Sequence, residues 1–151
     1  MNTTIPRIPP PVYFLLGVIT MLILHFLLPI GRWLYSPWRY LGIVFIVLGF
    51  SLSLGSGIFF RKLGTNPRPG SRANLVVTKG PFRYTRNPMY LGLTIILLGV
   101  FILLGSISPI IVVPIIFIIL HTRFVLKEEA WMEEWFGESY REYKRKTRRW
   151  L

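Results

Sequence analysis

With 151 residues, 52% of them hydrophobic, and a mean hydropathy of +0.52, the chain has the composition of one integral membrane domain and leaves no room for a second. Cysteine and aspartate are absent and the two histidines, His25 and His121, lie far apart, which excludes disulfides and thiolate catalysis and gives no metal-ligating set. The net charge of +12 does not argue for nucleic acid, because most basic residues flank apolar runs, as membrane topology requires.

Residues 1–11 are short and proline-rich, and Pro9, Pro10 and Pro11 are expected to hold off a helix until Val12. The first apolar run, about residues 12–30, is too long for a signal-peptide core, and Pro29-Ile30-Gly31 is a poor cleavage site, so it is predicted as a retained transmembrane helix. His25 within it is expected to be a structural group satisfied by a neighbouring helix. Trp33, Tyr35 and Trp38 then mark a membrane–water boundary. A second helix is predicted at about residues 40–60, where Gly49, Ser51, Ser53, Gly55, Ser56 and Gly57 form a small-residue seam for close helix packing.

A long basic loop follows from Arg61 to Asn87. Residues 65–70 read as non-helical, and Leu75-Val76-Val77 as a short apolar element folded onto the protein. Gly80-Pro81 is a turn signal. Asn87-Pro88 reads as a helix start, with Asn as the cap and Pro at the first helical position. The amides of that helix end, beside Arg83 and Arg86, would attract a carboxylate or phosphate. Basic residues at a helix end equally suit the plain reading of topology determinants, with Tyr84 and Tyr90 as belt aromatics.

The third and fourth helices are predicted at about residues 88–104 and 109–124, joined by Gly105–Ser108 as an antiparallel hairpin, with Pro114 expected to kink the fourth. A cytoplasmic tail is expected over residues 125–151. There Lys127–Phe136 reads as a helical continuation with Trp131 and Trp135 four apart on one face, suited to lying at the interface; Gly137 interrupts, and the segment from Glu138 onward forms a polar helix with Glu142 paired to Lys146. All six acidic residues lie between Glu128 and Glu142, so carboxylate chemistry can come only from this segment. The hairpin brings Glu128 and Glu129 back to the basic loop, and the sequence leaves open which of them faces inward. If the loop and both termini are cytoplasmic, every Lys and Arg except Arg32 and Arg39 lies on that side, as the positive-inside rule asks.

Three stretches can then be read together. Leu75–Tyr84 (LVVTKGPFRY), Arg86–Gly92 (RNPMYLG), and Glu128-Glu129 with Phe136–Tyr143 (FGESYREY) resemble the isoprenylcysteine carboxyl methyltransferase family, which is related to the phospholipid N-methyltransferases. The resemblance covers about the C-terminal half, from Thr65 onward. It implies an all-α integral membrane enzyme of about four transmembrane helices, with a C-terminal helical hairpin and a cytoplasmic interfacial helix. It also implies S-adenosylmethionine as cofactor and a hydrophobic, membrane-soluble methyl acceptor, with no metal. Carried over position by position, it makes Asn74, Leu75, Val76, Val77, Phe82, Asn87, Pro88, Met89 and Tyr90 cofactor contacts, Glu128 the carboxylate that holds the cofactor's ammonium, and Arg123 a candidate substrate contact. Asn87 stands where the family usually has His. Phe124 stands where the eukaryotic members have a substrate-contacting Arg, and Arg123 is one residue away. Two other readings stay open at this point: an NADPH-dependent membrane reductase, since sterol-reductase-like proteins share a late Arg-x-Pro-x-Tyr motif, and a membrane protein of the same fold without turnover.

Overall fold

Close backbone contact between two helices sets the frame of the molecule. Residues 8–65 and 73–151 are described by the structure, a computed structural model. Helix α2 spans Leu41–Lys62 and helix α3 spans Pro88–Leu104. On α2, Gly42, Gly49 and Ser56 recur every seven residues and are buried; Gly92 and Gly99 do the same on α3. A Cβ placed on Gly49 would lie 2.6 Å from the Gly92 carbonyl oxygen, and one on Gly99 would lie 2.7 Å from the Gly42 carbonyl oxygen. Any side chain there would separate the helices, whereas glycine lets dispersion contacts run along the whole seam. The expected small-residue packing is thus present, although Gly55, which meets nothing within 4 Å, lies outside it and Gly42 belongs to it.

Helix α1 spans Pro10–Leu27 and packs on the fourth helix and on α3. It starts two residues before the expected Val12, because Pro10 and Pro11 occupy first-turn positions whose amides have no helical acceptor. It also ends at Leu27, short of the expected residue 30, as Pro29 cannot continue it. His25 lies in its last turn, where Nδ1 is 2.7 Å from the Ser106 hydroxyl, so its structural reading holds. Nearby, Arg32 bridges Ser106, Ile107 N–H donates to Gly31 O at 3.2 Å, and Trp33 stacks on Phe101. These contacts close the end of the bundle opposite the basic loop.

The fourth helix departs most from expectation. A 3-10 turn at Ser108–Ile111 leads into α4, Val112–Leu120, with Pro114 in its first turn. A π-helical turn at His121–Val125 then joins α4 to α5, Leu126–Phe136, without a break. The expected helical continuation over residues 127–136 is present, and the boundary expected near Phe124 is corrected only in that no break occurs there: the helical run from Ser108 to Phe136 has 29 residues, about 44 Å of helix against a hydrocarbon thickness of roughly 30 Å. The run is thus longer than an untilted crossing needs, and Glu128 and Glu129 lie in its last three turns. The extra residue of the π turn also advances the phase of everything after it by about 100°. Gly137, at φ +53°, then reverses the chain into α6, Glu138–Lys146.

Among the described residues, three helical runs, Pro10–Leu27, Trp38–Lys62 and Ser108–Phe136, are long and apolar enough to cross a membrane, and α3 is a shorter apolar helix. This is an all-α, multi-pass integral membrane protein. The central core joins Met21, Tyr90, Leu97, Ile116, Leu120 and Phe124. The non-helical reading of residues 65–70 falls, apart from Thr65, outside the described residues, as does most of the segment before α1.

Candidate functional site

At the basic end, a pocket opens where α2 stops, α3 starts and α5 projects. Its lining includes Phe60, Val76, Val77, Phe82, Arg86, Asn87, Pro88, Met89, Tyr90, Glu128, Glu129, Met132, Trp135, Tyr140 and Tyr143. Local chemistry explains each wall. Gly80, at φ +60° against the Phe59 ring, allows the turn that begins the 3-10 segment Gly80–Arg83 and buries Phe82. The Phe82 ring packs on Phe60 at 5.3 Å, and its carbonyl accepts the Tyr143 hydroxyl at 2.6 Å, linking the loop to α2 and α6. On α6, Tyr140 and Tyr143 lie three apart and both face inward. Burial pushes both hydroxyls well above the ordinary tyrosine range, with the Glu129 charge adding to the effect, so both remain neutral donors.

The helix start at Pro88 is where the sequence puts it, but Asn87 does not cap it through its side chain. Asn87 Nδ2 instead donates to Glu129 Oε1 and to the Arg149 carbonyl, each at 3.2 Å. The expected cap is therefore corrected: the Asn87 side chain is turned so that its Nδ2 reaches a buried carboxylate and a carbonyl, tying the start of α3 to α5 and to the C-terminal segment, and its Oδ1 makes no capping bond.

Glu128 and Glu129 divide their roles. Buried Glu129 receives Arg149 Nε on both oxygens at 3.1 Å and Arg149 Nη2 on Oε2 at 2.9 Å, with Arg86 Nη1 at 3.5 Å. That pairing holds the Arg149 guanidinium above its ordinary basicity. Glu128, half-buried, accepts the Tyr90 hydroxyl at 2.7 Å and makes no ion pair among the described residues. Both glutamates line the pocket, but among the described residues Glu129 is paired with arginine, whereas Glu128 has only the Tyr90 hydroxyl as partner. Arg86 is the counterpart cation. Its side chain is only 8% exposed, yet Nε and Nη1 have no hydrogen-bond partner among the described residues. Donors left that way cost about 1–3 kcal/mol each, a cost that an anionic hydrogen-bond acceptor in the pocket would offset.

Of the expected contacts, Val76, Val77, Phe82, Asn87, Pro88, Met89, Tyr90 and Glu128 meet at this pocket. Asn74 and Leu75 do not line it: the Asn74 amide donates to Gly64 O at 2.6 Å, and Leu75 is exposed. Arg123 lies exposed on the π turn, away from the lining. Phe124 is buried between Tyr13 and Tyr90. The Trp131 and Trp135 pair was expected to face the interface, but Trp131 is buried and Trp135 turns into the pocket. Sequence reasoning missed Phe60, Met132, Trp135, Tyr140 and Tyr143. The inward stripe of Tyr140 and Tyr143 on an otherwise charged helix was the available signal for two of them.

A sequence model of phospholipid methyltransferases matches residues 38–139, more than half of the chain. The chain belongs to the phospholipid methyltransferase family. Within that broader likeness, it is 27% identical over 120 residues to a protein-S-isoprenylcysteine O-methyltransferase of Schizosaccharomyces pombe, covering 77% of this chain and 50% of that protein. An uncharacterized protein of Haemophilus influenzae is 40% identical over 63 residues, 42% of this chain and all of that protein. Among solved structures, the eukaryotic intramembrane Ras methyltransferase, isoprenylcysteine carboxyl methyltransferase, superposes with a TM-score of 0.67 at 18% identity, over 91% of this chain and 50% of that one. The fold is shared, and this phospholipid methyltransferase family member spans about half the length of the S. pombe protein and of the solved chain.

Proposed function

We propose that the protein is an S-adenosylmethionine-dependent methyltransferase acting on a membrane-soluble acceptor, with both termini and the pocket on the cytoplasmic side. The observation that supports the cofactor assignment is the presence, in one aromatic-walled pocket, of a carboxylate without an ion-pair partner among the described residues, Glu128, and a buried guanidinium, Arg86, two of whose nitrogens have no hydrogen-bond partner there. An amino acid ligand needs both signs of charge within a few ångströms. A sulfonium needs electron-rich faces, and Phe82, Tyr90 and Trp135 offer them. The residues present therefore fit this cofactor.

When bound, the cofactor supplies an electrophilic methyl group on sulfonium. Glu128 would hold its ammonium, with the Tyr90 hydroxyl fixing the carboxylate rotamer, and Arg86 would take its carboxylate. Val76 and Val77 would cover the apolar face of the adenosyl part. Transfer to an acceptor heteroatom requires in-line approach and exclusion of water more than a general base, and an acceptor dissolved in lipid fits a pocket that opens at the end of apolar membrane helices. The match to a methyltransferase family supports this reading over the NADPH-dependent reductase. The cytoplasmic orientation rests on the basic loop and tail lying at one end of the bundle.

Calorimetric titration of the detergent-purified protein with S-adenosylhomocysteine tests the assignment. Saturable one-site binding is the expected result. A folded protein that takes up no S-adenosylhomocysteine but is protected against melting by NADPH would reverse it.

A further inference from the structure

The described chain finishes in a strap that no part of the methyl-transfer reading requires. After α6, Thr147 is extended and buried. The Arg148 carbonyl accepts Arg86 N–H at 3.0 Å, and the Arg149 carbonyl accepts the Thr85 hydroxyl at 3.0 Å and the Asn87 amide at 3.2 Å. Trp150 then packs on Phe117 at 4.8 Å and on His121 at 5.8 Å. Residues on both sides of Arg86 are therefore gripped by the strap, which brings the Arg149 guanidinium onto Glu129.

Two guanidiniums now compete for one carboxylate, and the distances show which prevails. Arg149 occupies both Glu129 oxygens at 2.9–3.1 Å, and Asn87 takes a further lone pair of Oε1. Arg86 is left with one ion pair at 3.5 Å, beyond a good charge-assisted hydrogen bond, and with two buried donors unused. Without Arg149, the nearest strong acceptor for Arg86 is Glu129 itself. A small rotation would let the two close into a bidentate pair, and Arg86 would no longer be open to the pocket.

We propose that Arg149 is a positioning residue: by saturating Glu129 it keeps the Arg86 guanidinium free to bind the carboxylate of the pocket's ligand. This rests on the reading of the pocket as an S-adenosyl amino acid site, and it assigns the strap a part in ligand selectivity beyond holding the helices together. The surplus positive charge of the Arg86–Glu129–Arg149 cluster is what an anionic ligand group neutralises.

The test compares two ligands on the full-length protein in detergent: S-adenosylhomocysteine, and methylthioadenosine, which keeps the adenosyl thioether but lacks the amino acid end. The wild type is expected to prefer S-adenosylhomocysteine. Arg149→Met should lose about tenfold of that preference, the equivalent of one charge-assisted hydrogen bond, while methylthioadenosine affinity stays within about twofold. Arg149→Lys, which keeps a cation but not the fork, should lie between the two and serves if the Met variant does not fold. Glu129→Gln combined with Arg149→Met should recover the preference, because a neutral amide cannot capture Arg86. An equal loss of both ligands in the Arg149 variants would reduce the strap to a structural tie, and an unchanged preference would remove Arg149 from ligand selection; either result overturns the inference while the cofactor assignment stands. A wild type that binds neither ligand overturns both.

Discussion

The α2–α3 seam and the pocket end are built by opposite means. Along the seam, side chains are absent where Gly42, Gly49, Gly92 and Gly99 let backbones touch, and the pattern is a local seven-residue period. At the pocket, side chains from α2, the loop before α3, α3, α5, α6 and the C-terminal strap converge through polar contacts between residues up to 64 apart in sequence. The seam is thus a rigid base without chemistry. The pocket is an assembly whose parts are set by charge and hydrogen bonding, so the two should respond differently to substitution.

The largest separation is expected at the seam. Gly49→Ala forces a Cβ to 2.6 Å from a backbone oxygen, and overpacking without a flexible partner should lower stability by about 3 kcal/mol, read as a drop in melting temperature in detergent. Ligand affinity of the fraction that stays folded should change little. Glu128→Gln should do the reverse. It keeps the shape of the Tyr90 contact but removes the charge, weakening S-adenosylhomocysteine by about 2 kcal/mol in a calorimetric titration while the melting temperature holds. The smallest effect sharpens the seam itself: Gly55→Ala, on the same helix but facing open space, should raise stability by about 0.5–1 kcal/mol through the lost chain entropy of glycine. Equal destabilisation by the Ala substitutions at Gly49 and Gly55 would show that helix propensity, not close approach, governs α2.

The same contrast explains what the sequence made legible. The start of α3 at Pro88, the hairpin and the small-residue helix face are local signals, and they stand in the structure close to where periodicity and turn residues place them. Asn87 shows the limit of such signals: its type suits a cap, but Glu129, 42 residues on, accepts from its Nδ2 and turns the side chain away from the capping position. The helical continuation over residues 127–136 was legible as well, but the π turn that joins it to the fourth helix was not, because no local residue pattern in His121–Val125 marks it. Glu128 and Glu129 are indistinguishable as a dipeptide. Only the folded partners, Tyr90 for one and Arg149 with Arg86 for the other, separate them. Trp135 and the two tyrosines of α6 were obscured because amphipathic aromatics near a membrane suit an interface as well as a pocket wall.

The central claim is that this pocket transfers a methyl group to something that lives in the membrane. The direct measurement is to incubate the purified wild type and the Glu128→Gln variant with methyl-labelled S-adenosylmethionine and host membrane lipids, then partition the products into organic solvent. The account predicts label in an organic-phase product for the wild type, saturating with cofactor, and a rate at least about tenfold lower for the variant at subsaturating cofactor. A wild type that binds S-adenosylhomocysteine but leaves all label in the aqueous cofactor would contradict it.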